Sequence, residues 1–219
     1  EQHWPECTVP LVSITCVTYN HVKFIHDAIQ GFLMQETTFP VEILIHDDAS
    51  SDGTDDIVRA YKAEYPCLIK PIYQTKNQYS QGNKPHEIMR SLQQGKYIAV
   101  CEGDDYWTDP RKLQIQVNYL ETHPACVVSG HDAFIVDAQG TRISESKLPD
   151  SFKRDLSAEE LLYGRARILT LSAVYRNVLP REPIAERRHI LNGDNFTTAL
   201  LGQFGGSKYH KEIKPACYR

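Results

Sequence analysis

The feature that most constrains the fold is a run of four units, each made of an apolar segment, a polar turn and a stretch with apolar residues at helical spacing. The apolar segments are residues 11–17, 41–45, 68–73 and 97–100. They are rich in β-branched side chains, as expected of strands covered on both faces. Strands that alternate with helices pair in parallel through right-handed crossovers. We therefore expect an α/β fold with a mainly parallel central sheet flanked by helices.

Proline and glycine mark the boundaries of several elements. Pro71 lies inside the third apolar segment and lacks a backbone donor, which predicts a strand at the edge of the sheet. A helix is predicted to begin at Pro85 and to be stopped by Gly95. A further helix is predicted to begin at Pro110, with Asp109 as its N-cap.

After residue 125 the pattern changes to an α+β character. Ser157 and Glu160 have the spacing of a capping box, which predicts a short helix. A second helix is predicted over residues 194–203. Short strands are predicted at residues 126–129, 133–136, 168–175 and 212–218.

Composition limits the possible functions. The net charge of -4 and the pI of about 6.1 provide no general basic surface for nucleic acid. No segment approaches the roughly 20 apolar residues of a membrane helix. The six cysteines have no CxxC spacing and four lie in or beside apolar runs, which favours buried thiols in a reducing, cytoplasmic compartment. Because the sequence lacks an initial Met and ends after a strand-like segment, we expect a truncated C-terminus, and contact with the inner face of the cell membrane through a missing segment stays open.

Three carboxylates follow the fourth apolar segment directly: Glu102, Asp104 and Asp105. Carboxylates crowded at the end of a buried strand repel one another unless a cation offsets them. Oxygen ligands suit Mg2+ or Mn2+, which take one or two carboxylates and complete their shell with water and substrate phosphates. The turn therefore favours a metal diphosphate site, and the alternative is a polar surface loop.

The first two strands also end in polar turns, at Thr18, Tyr19 and Asn20 and at Asp47 and Asp48. In parallel sheets ligands bind beyond the carboxyl ends of the strands, so these turns and the acidic turn should meet at one edge. The first turn suits stacking on a base, and ordinary turn chemistry explains Asn20 equally well. One aspartate of the pair suits a hydrogen bond from a base or ribose, and the alternative is an acidic helix entry.

A calcium loop is excluded for the second turn. Asp48, Ser50 and Asp52 fall near the liganding positions, but the twelfth position is Arg59. That site needs a bidentate glutamate there.

Three motifs carry a family resemblance. They are VSITCVTYN at residues 12–20, ILIHDDASSDGT at 43–54 and GKYIAVCEGDDYWTDPRKL at 95–113. In this order they resemble the signatures of family 2 glycosyltransferases, and the resemblance extends over residues 10–219. It implies the GT-A fold as one domain over residues 1–219.

In that domain, residues 10–124 would bind the nucleotide sugar and residues 125–219 the acceptor. The resemblance also implies roles for individual residues. The nucleotide would be held by Thr18, Tyr19, Asn20, Asp47, Asp48, Glu102, Gly103 and Asp104. Glu102-Gly103-Asp104 stands where the family has its DxD motif, with glutamate replacing the first aspartate. Asp104 is the first choice as metal ligand and Asp105 the second.

Asp194 resembles the aspartate of the family's late acidic motif, which is the general base. It precedes the second predicted helix of this half, with Gly193 where the family usually has glutamate. The alternative role for Asp194 is a helix N-cap.

The implied function is inverting transfer of a sugar from a UDP-, dTDP- or GDP-sugar to a glycan or lipid-linked glycan, in cell-surface polysaccharide synthesis. The cofactor would be Mn2+ or Mg2+. A sugar-1-phosphate nucleotidyltransferase and a non-catalytic nucleotide- or glycan-binding module are the alternatives. A nucleotidyltransferase would carry a basic, glycine-rich loop after the first strand, where this chain has Thr18-Tyr19-Asn20-His21.

Overall fold

A seven-stranded sheet forms the centre of the protein in the computed structural model, which describes residues 8–181, 190 and 192–219. Its strands are, in spatial order, β3 (Ile69–Tyr73), β2 (Val41–Asp47), β1 (Val12–Thr18), β4 (Tyr97–Val100), β8 (Val174–Arg176), β5 (Cys126–Gly130) and β9 (Gly206–Tyr209). The first four are parallel to one another, β8 is antiparallel to both of its neighbours, and β9 is parallel to β5. The expected α/β class with a mainly parallel sheet is confirmed. Pro71 lies on edge strand β3, also as expected.

A second, three-stranded sheet lies in the C-terminal half. Its strands are, in order, β10 (Ala216–Tyr218), β6 (Ala133–Val136) and β7 (Arg142–Ser144). The helices are α1 (Ile25–Leu33), α2 (Thr54–Glu64), α3 (Pro85–Arg90), α4 (Lys112–Thr122), α5 (Ala158–Leu162) and α6 (Gly193–Leu201). Ser157 and Glu160 form the predicted capping box at the start of α5. None of the helices within the described residues is long and apolar enough to span a bilayer.

The main core lies between the sheet and the helices that connect its parallel strands. The consecutive residues Val12, Ser13, Ile14 and Thr15 of β1 are all buried, as a strand covered on both faces requires. Four cysteines, Cys16, Cys101, Cys126 and Cys217, are buried free thiols, whereas Cys67 is exposed and Cys7 lies outside the described residues.

The helix after the acidic turn begins later than the sequence predicts. The expectation of a helix starting at Pro110 with Asp109 as N-cap is wrong, because α4 begins at Lys112 and its N-cap residue is Arg111. Asp109 instead accepts hydrogen bonds from the backbone N–H of Arg111 at 2.9 Å and of Lys214 at 3.0 Å. Its carboxylate therefore joins the turn before α4 to the segment before β10.

Two other boundaries differ for similar reasons. Helix α3 ends at Arg90 rather than at Gly95, because the N–H groups of Gln94 and Gly95 bind the side chains of Glu42 and Ser13 on the sheet. The strand predicted over residues 168–175 is a short 3-10 turn, Thr170–Ser172, followed by β8. The indole N–H of Trp107 donates to the carbonyl of Leu171 at 2.7 Å, which fixes this turn beneath the acidic loop.

Candidate functional site

The carboxyl ends of β1, β2 and β4 lie side by side, as the parallel pairing requires. Thr18 is in register with Asp47, and the backbone N–H of Gly103 donates to the carbonyl of Val17 at 2.9 Å. A Cβ on Gly103 would lie 2.8 Å from Oγ1 of Thr18, so the acidic turn packs directly on the first turn. The three sequence-predicted turns therefore meet at one edge of the sheet.

The first two turns are linked by hydrogen bonds. Asn20 has a left-handed φ of 55°, and its side-chain oxygen accepts from the N–H of Ser51 at 2.9 Å. Its own N–H donates to Oγ of Ser50 at 2.9 Å, and Ser50 in turn donates to the carboxylate of Asp47. Tyr19 beside them is 45% exposed, so its side chain is accessible to a ligand.

Asp48 holds a loop that the sequence reasoning did not connect to it. The carboxylate is buried and accepts the backbone N–H of Gln78 at 2.7 Å and of Tyr79 at 3.0 Å. Each carboxylate oxygen can accept a second hydrogen bond, so Asp48 keeps capacity for a ligand. Tyr79 itself is 66% exposed and stands next to this position. No signal in the sequence links residues 48 and 79.

The acidic turn has two histidine neighbours and one buried acid. Nε2 of His86 lies 2.9 Å from Oε1 of Glu102, and Nε2 of His21 lies 4.0 Å from Oδ2 of Asp104. Asp105 is only 4% exposed. Its pKa is raised to about 7, because burial and the negative charges of Asp104 and Glu102 outweigh a backbone hydrogen bond that lowers it.

That backbone hydrogen bond comes from Arg219, whose N–H lies 3.0 Å from Oδ1 of Asp105. The Arg219 guanidinium donates to the carbonyl of Asp104 at 2.8 Å and to the carboxylate of Asp27, and it stacks 4.9 Å from the ring centre of Tyr106. Arg219 thus offsets part of the negative charge. The sequence motifs gave no sign of this contact.

The residues of the acidic turn fit a Mg2+ or Mn2+ ion that is completed by substrate oxygens. The side chain of Asp104 is 37% exposed, so its carboxylate is accessible, whereas Asp105 lies behind it. Burial first, and then the charges of Asp104 and Glu102, raise the pKa of Asp105, which indicates that Arg219 offsets the negative charge of the turn only in part. Within the described residues no group of three His, Cys, Asp or Glu side chains could bind an ion unaided. A cation here would therefore depend on a ligand such as a diphosphate.

Asp194 lies in the first turn of α6 and is exposed. The helix is capped by Asn192, whose side-chain oxygen accepts the N–H of Asn195 at 3.0 Å. The alternative of Asp194 as N-cap is therefore wrong. Its Oδ2 instead accepts a hydrogen bond from Oγ1 of Thr170 at 2.7 Å, which orients the carboxylate.

The charges of the acidic turn and of Asp194 both act on Tyr218. Burial raises the pKa of the Tyr218 hydroxyl, and the negative charges of Asp105, Asp104 and Asp194 raise it further. Nζ of Lys147 lies 3.1 Å from the centre of the same ring. One cleft is lined by both Asp194 and His86, and the ring of His86 contacts Glu102 of the acidic turn.

The sequence is similar to a family of known proteins. The model of the family described as "Glycosyl transferase family 2" matches residues 13–176. An uncharacterized protein of Mycobacterium tuberculosis is 41% identical over 193 residues, covering 84% of this chain and 55% of the relative. The Escherichia coli UDP-Glc:alpha-D-GlcNAc-diphosphoundecaprenol beta-1,3-glucosyltransferase WfaP is 34% identical over 113 residues, covering 51% of this chain and 42% of WfaP. The chain thus spans about half the length of these relatives.

Solved structures have the same fold. TarS of Staphylococcus aureus superimposes with a TM-score of 0.67 at 19% identity, covering 94% of this chain and 59% of that one. The mannosyltransferase PcManGT of Pyrobaculum calidifontis, in complex with GDP-Man and Mn2+, gives a TM-score of 0.61 at 16% identity, covering 97% and 57%. The expected GT-A fold is confirmed by the match to TarS. From its family match, its relatives and its fold, the chain belongs to glycosyltransferase family 2.

Proposed function

We propose that this protein is an inverting glycosyltransferase that moves a sugar from a nucleoside-diphosphate donor to a hydroxyl group of a glycan or lipid-linked glycan. One observation supports this most: the exposed carboxylate of Asp194 lines the same cleft as His86, whose ring contacts Glu102 of the acidic turn. A base positioned across one cleft from a donor site is what displacement at a sugar carbon requires.

The first two turns would hold the nucleoside. Tyr19 offers an exposed aromatic side chain and Asn20 an amide fixed by Ser51, and Thr18 is the buried residue before them. Asp48 would accept a hydrogen bond from the base or ribose with its remaining lone pairs. Asp47 would act through Ser50, since its carboxylate already binds that residue.

The acidic turn would hold the diphosphate. Asp104 is the accessible carboxylate and is proposed as the ligand of Mn2+ or Mg2+, with Asp105 behind it as the second choice. When bound, the ion would neutralise the charge of the departing diphosphate. Gly103 keeps this turn tight against Thr18, and Glu102 would reach the ribose or the ion with its longer side chain.

Asp194 would take the proton of the acceptor hydroxyl. As that oxygen bonds to the anomeric carbon, the bond from this carbon to the diphosphate oxygen breaks on the opposite face, and the configuration inverts. Thr170 holds the carboxylate in place during this step. The pKa of an acceptor hydroxyl is high, so a base at the point of attack speeds the transfer.

The relatives suggest the class of donor and acceptor. WfaP is named for transfer from UDP-Glc to a diphosphoundecaprenol-linked sugar, and TarS structures contain UDP or UDP-GlcNAc. We propose a UDP-sugar as the first donor to test, with dTDP- and GDP-sugars next. The acceptor would be a growing cell-surface polysaccharide.

The test is the variant Asp194→Asn, assayed for sugar transfer and for release of nucleoside diphosphate. We expect turnover to fall about 10²- to 10⁴-fold while nucleotide affinity stays within about twofold. Asp150→Asn is the matched control, because its side chain is 94% exposed and lies outside the cleft. Full turnover by Asp194→Asn would reject its role as base. Release of pyrophosphate would instead support a nucleotidyltransferase, and nucleotide binding without any product would support a binding module.

A further inference from the structure

Trp107 lies two residues after Asp105 and carries a buried N–H group that the proposed mechanism does not use. The residue is 2% exposed, and its indole N–H donates to the carbonyl of Leu171 at 2.7 Å. The ring packs edge-to-face on Phe32, with 5.0 Å between the ring centres. The backbone is equally confined, since a Cβ on Gly31 would lie 2.9 Å from the nitrogen of Trp107. The indole N–H is therefore held in one place.

The carbonyl that accepts this hydrogen bond belongs to the short 3-10 turn Thr170–Ser172, which we call the base turn. The first residue of the base turn, Thr170, donates from Oγ1 to Oδ2 of Asp194 at 2.7 Å. The residue held by the indole and the residue that holds the carboxylate are therefore adjacent in the chain. A shift of the base turn would move the contact with Asp194 as well.

Gln116 of α4 holds the base turn through a second carbonyl. It is fully buried, and its amide donates to the carbonyl of Ser172 at 3.0 Å and to that of Ser129 at 3.1 Å. Its side-chain oxygen accepts a hydrogen bond from Nζ of Lys112 at 2.7 Å. The same Nζ lies 4.2 Å from the ring centre of Trp107. One buried polar network thus joins the acidic turn, α4 and the base turn.

This network is not needed to fill the core. Burying Lys112 and Gln116 costs free energy that apolar side chains of similar size would not cost. Hydrogen bonds, however, have preferred distances and angles, so a network fixes a backbone more narrowly than apolar packing does. The network therefore suits the precise placement of the base turn.

We propose that Trp107 and Gln116 are positioning residues, which hold the base turn so that Thr170 fixes the carboxylate of Asp194 relative to the acidic turn. This rests on the proposed function of Asp194 as the base. Small displacements of reacting groups slow a reaction steeply, so loosening the base turn slows the transfer step. Binding of the donor does not depend on the base turn and is unaffected.

The test compares variants that each remove one hydrogen-bonding group and keep the shape of the side chain. Trp107→Phe removes the indole N–H, and Thr170→Val removes the hydroxyl that binds Asp194. Gln116→Met removes the amide and replaces Trp107→Phe in both measurements should that variant fail to fold, as thermal unfolding shows. Tyr61→Phe is the matched control, because it removes the hydrogen bond of a buried aromatic ring on α2.

The first measurement is hydrogen exchange of the backbone amides of Ser172 and Ala173, followed by mass spectrometry. These amides donate to the carbonyls of Leu169 and Thr170 within the base turn. We expect exchange at least about tenfold faster in Trp107→Phe than in wild type, and no change in Tyr61→Phe. Equal exchange in folded Trp107→Phe and wild type overturns the proposal, and this readout needs no substrate.

The second measurement is the steady-state rate of sugar transfer. In Trp107→Phe we expect kcat to fall at least about tenfold while the KM for the donor stays within about twofold. The double variant Trp107→Phe/Thr170→Val should be within about twofold of Thr170→Val alone, because both substitutions act through the same carboxylate. Effects that multiply in the double variant, or a weaker donor affinity with unchanged kcat, overturn the proposal. Full turnover by Asp194→Asn rejects the proposed function instead, and hydrogen exchange still decides whether Trp107 holds the base turn.

Discussion

The variant Asp105→Asn is expected to stabilise the metal-free protein at high pH. Asp105 is 4% exposed, and burial together with Asp104 and Glu102 raises its pKa from 3.8 to about 7. A carboxyl with a raised pKa in the folded state stabilises the fold at low pH, and this contribution is lost as pH rises through about 7. Between pH 5 and pH 8.5 the loss is about 3 kcal/mol for this single group. Asparagine resembles the neutral carboxyl in shape and cannot ionise, so the variant lacks this loss.

The assay is urea unfolding with EDTA at pH 5, 7 and 8.5. We expect the difference in unfolding free energy between Asp105→Asn and wild type to increase by about 3 kcal/mol over this range. The exposed Asp150→Asn serves as control and should follow the wild type. An equal pH dependence of the unfolding free energy in Asp105→Asn and wild type would refute the raised pKa that burial and the neighbouring carboxylates give Asp105.

Three further variants test a buried charge, a close backbone contact and a helix cap. Burial lowers the pKa of Lys112 from 10.5 to about 7. The unfolding free energy of the wild type should therefore increase by about 2 kcal/mol between pH 7 and 9 as this group loses its proton. Urea unfolding of Lys112→Met should lack this increase. An equal gain in the variant would contradict the burial of the charge. Gly95→Ala would place a Cβ 2.5 Å from the backbone nitrogen of Ser13. The unfolding free energy should therefore fall by about 1–3 kcal/mol, with a lower midpoint in thermal unfolding. An unchanged midpoint would refute this close approach. Ser157→Ala removes the capping box of α5. It should lower the unfolding free energy by about 1 kcal/mol and the melting temperature by about 2–4 °C. An unchanged melting temperature would show that α5 does not depend on its cap.

The first half of the fold could be predicted because its signals are local. The apolar segment at residues 11–17 and its three successors each lead into a helix, and parallel pairing follows from that order. The C-terminal half depends on long-range contacts. Strand β8 inserts antiparallel between β4 and β5, and the turn at Thr170–Ser172 depends on the indole of Trp107, 64 residues earlier. No local pattern carries that information.

The candidate site shows the same division. The meeting of the three turns follows from strand order alone, so Thr18, Asp48 and Asp104 could be grouped from the sequence. The contact of Arg219 with Asp105 spans 114 residues and could not. The burial of Arg90 at the end of α3 could not be predicted either, because an arginine at the end of a helix ordinarily lies in solvent.

The most direct test of the donor site is a calorimetric titration of UDP, dTDP and GDP into wild type and Asp104→Ala, with Mn2+ and with EDTA. The acidic turn is proposed to hold the diphosphate through an ion on Asp104, whose carboxylate is accessible at the edge of the sheet. We predict that one nucleotide binds wild type with Mn2+, and that EDTA or Asp104→Ala each weakens this binding at least about tenfold. Equal affinity for that nucleotide in all of these conditions, or no binding of any nucleotide to the wild type, would contradict a metal-dependent donor site.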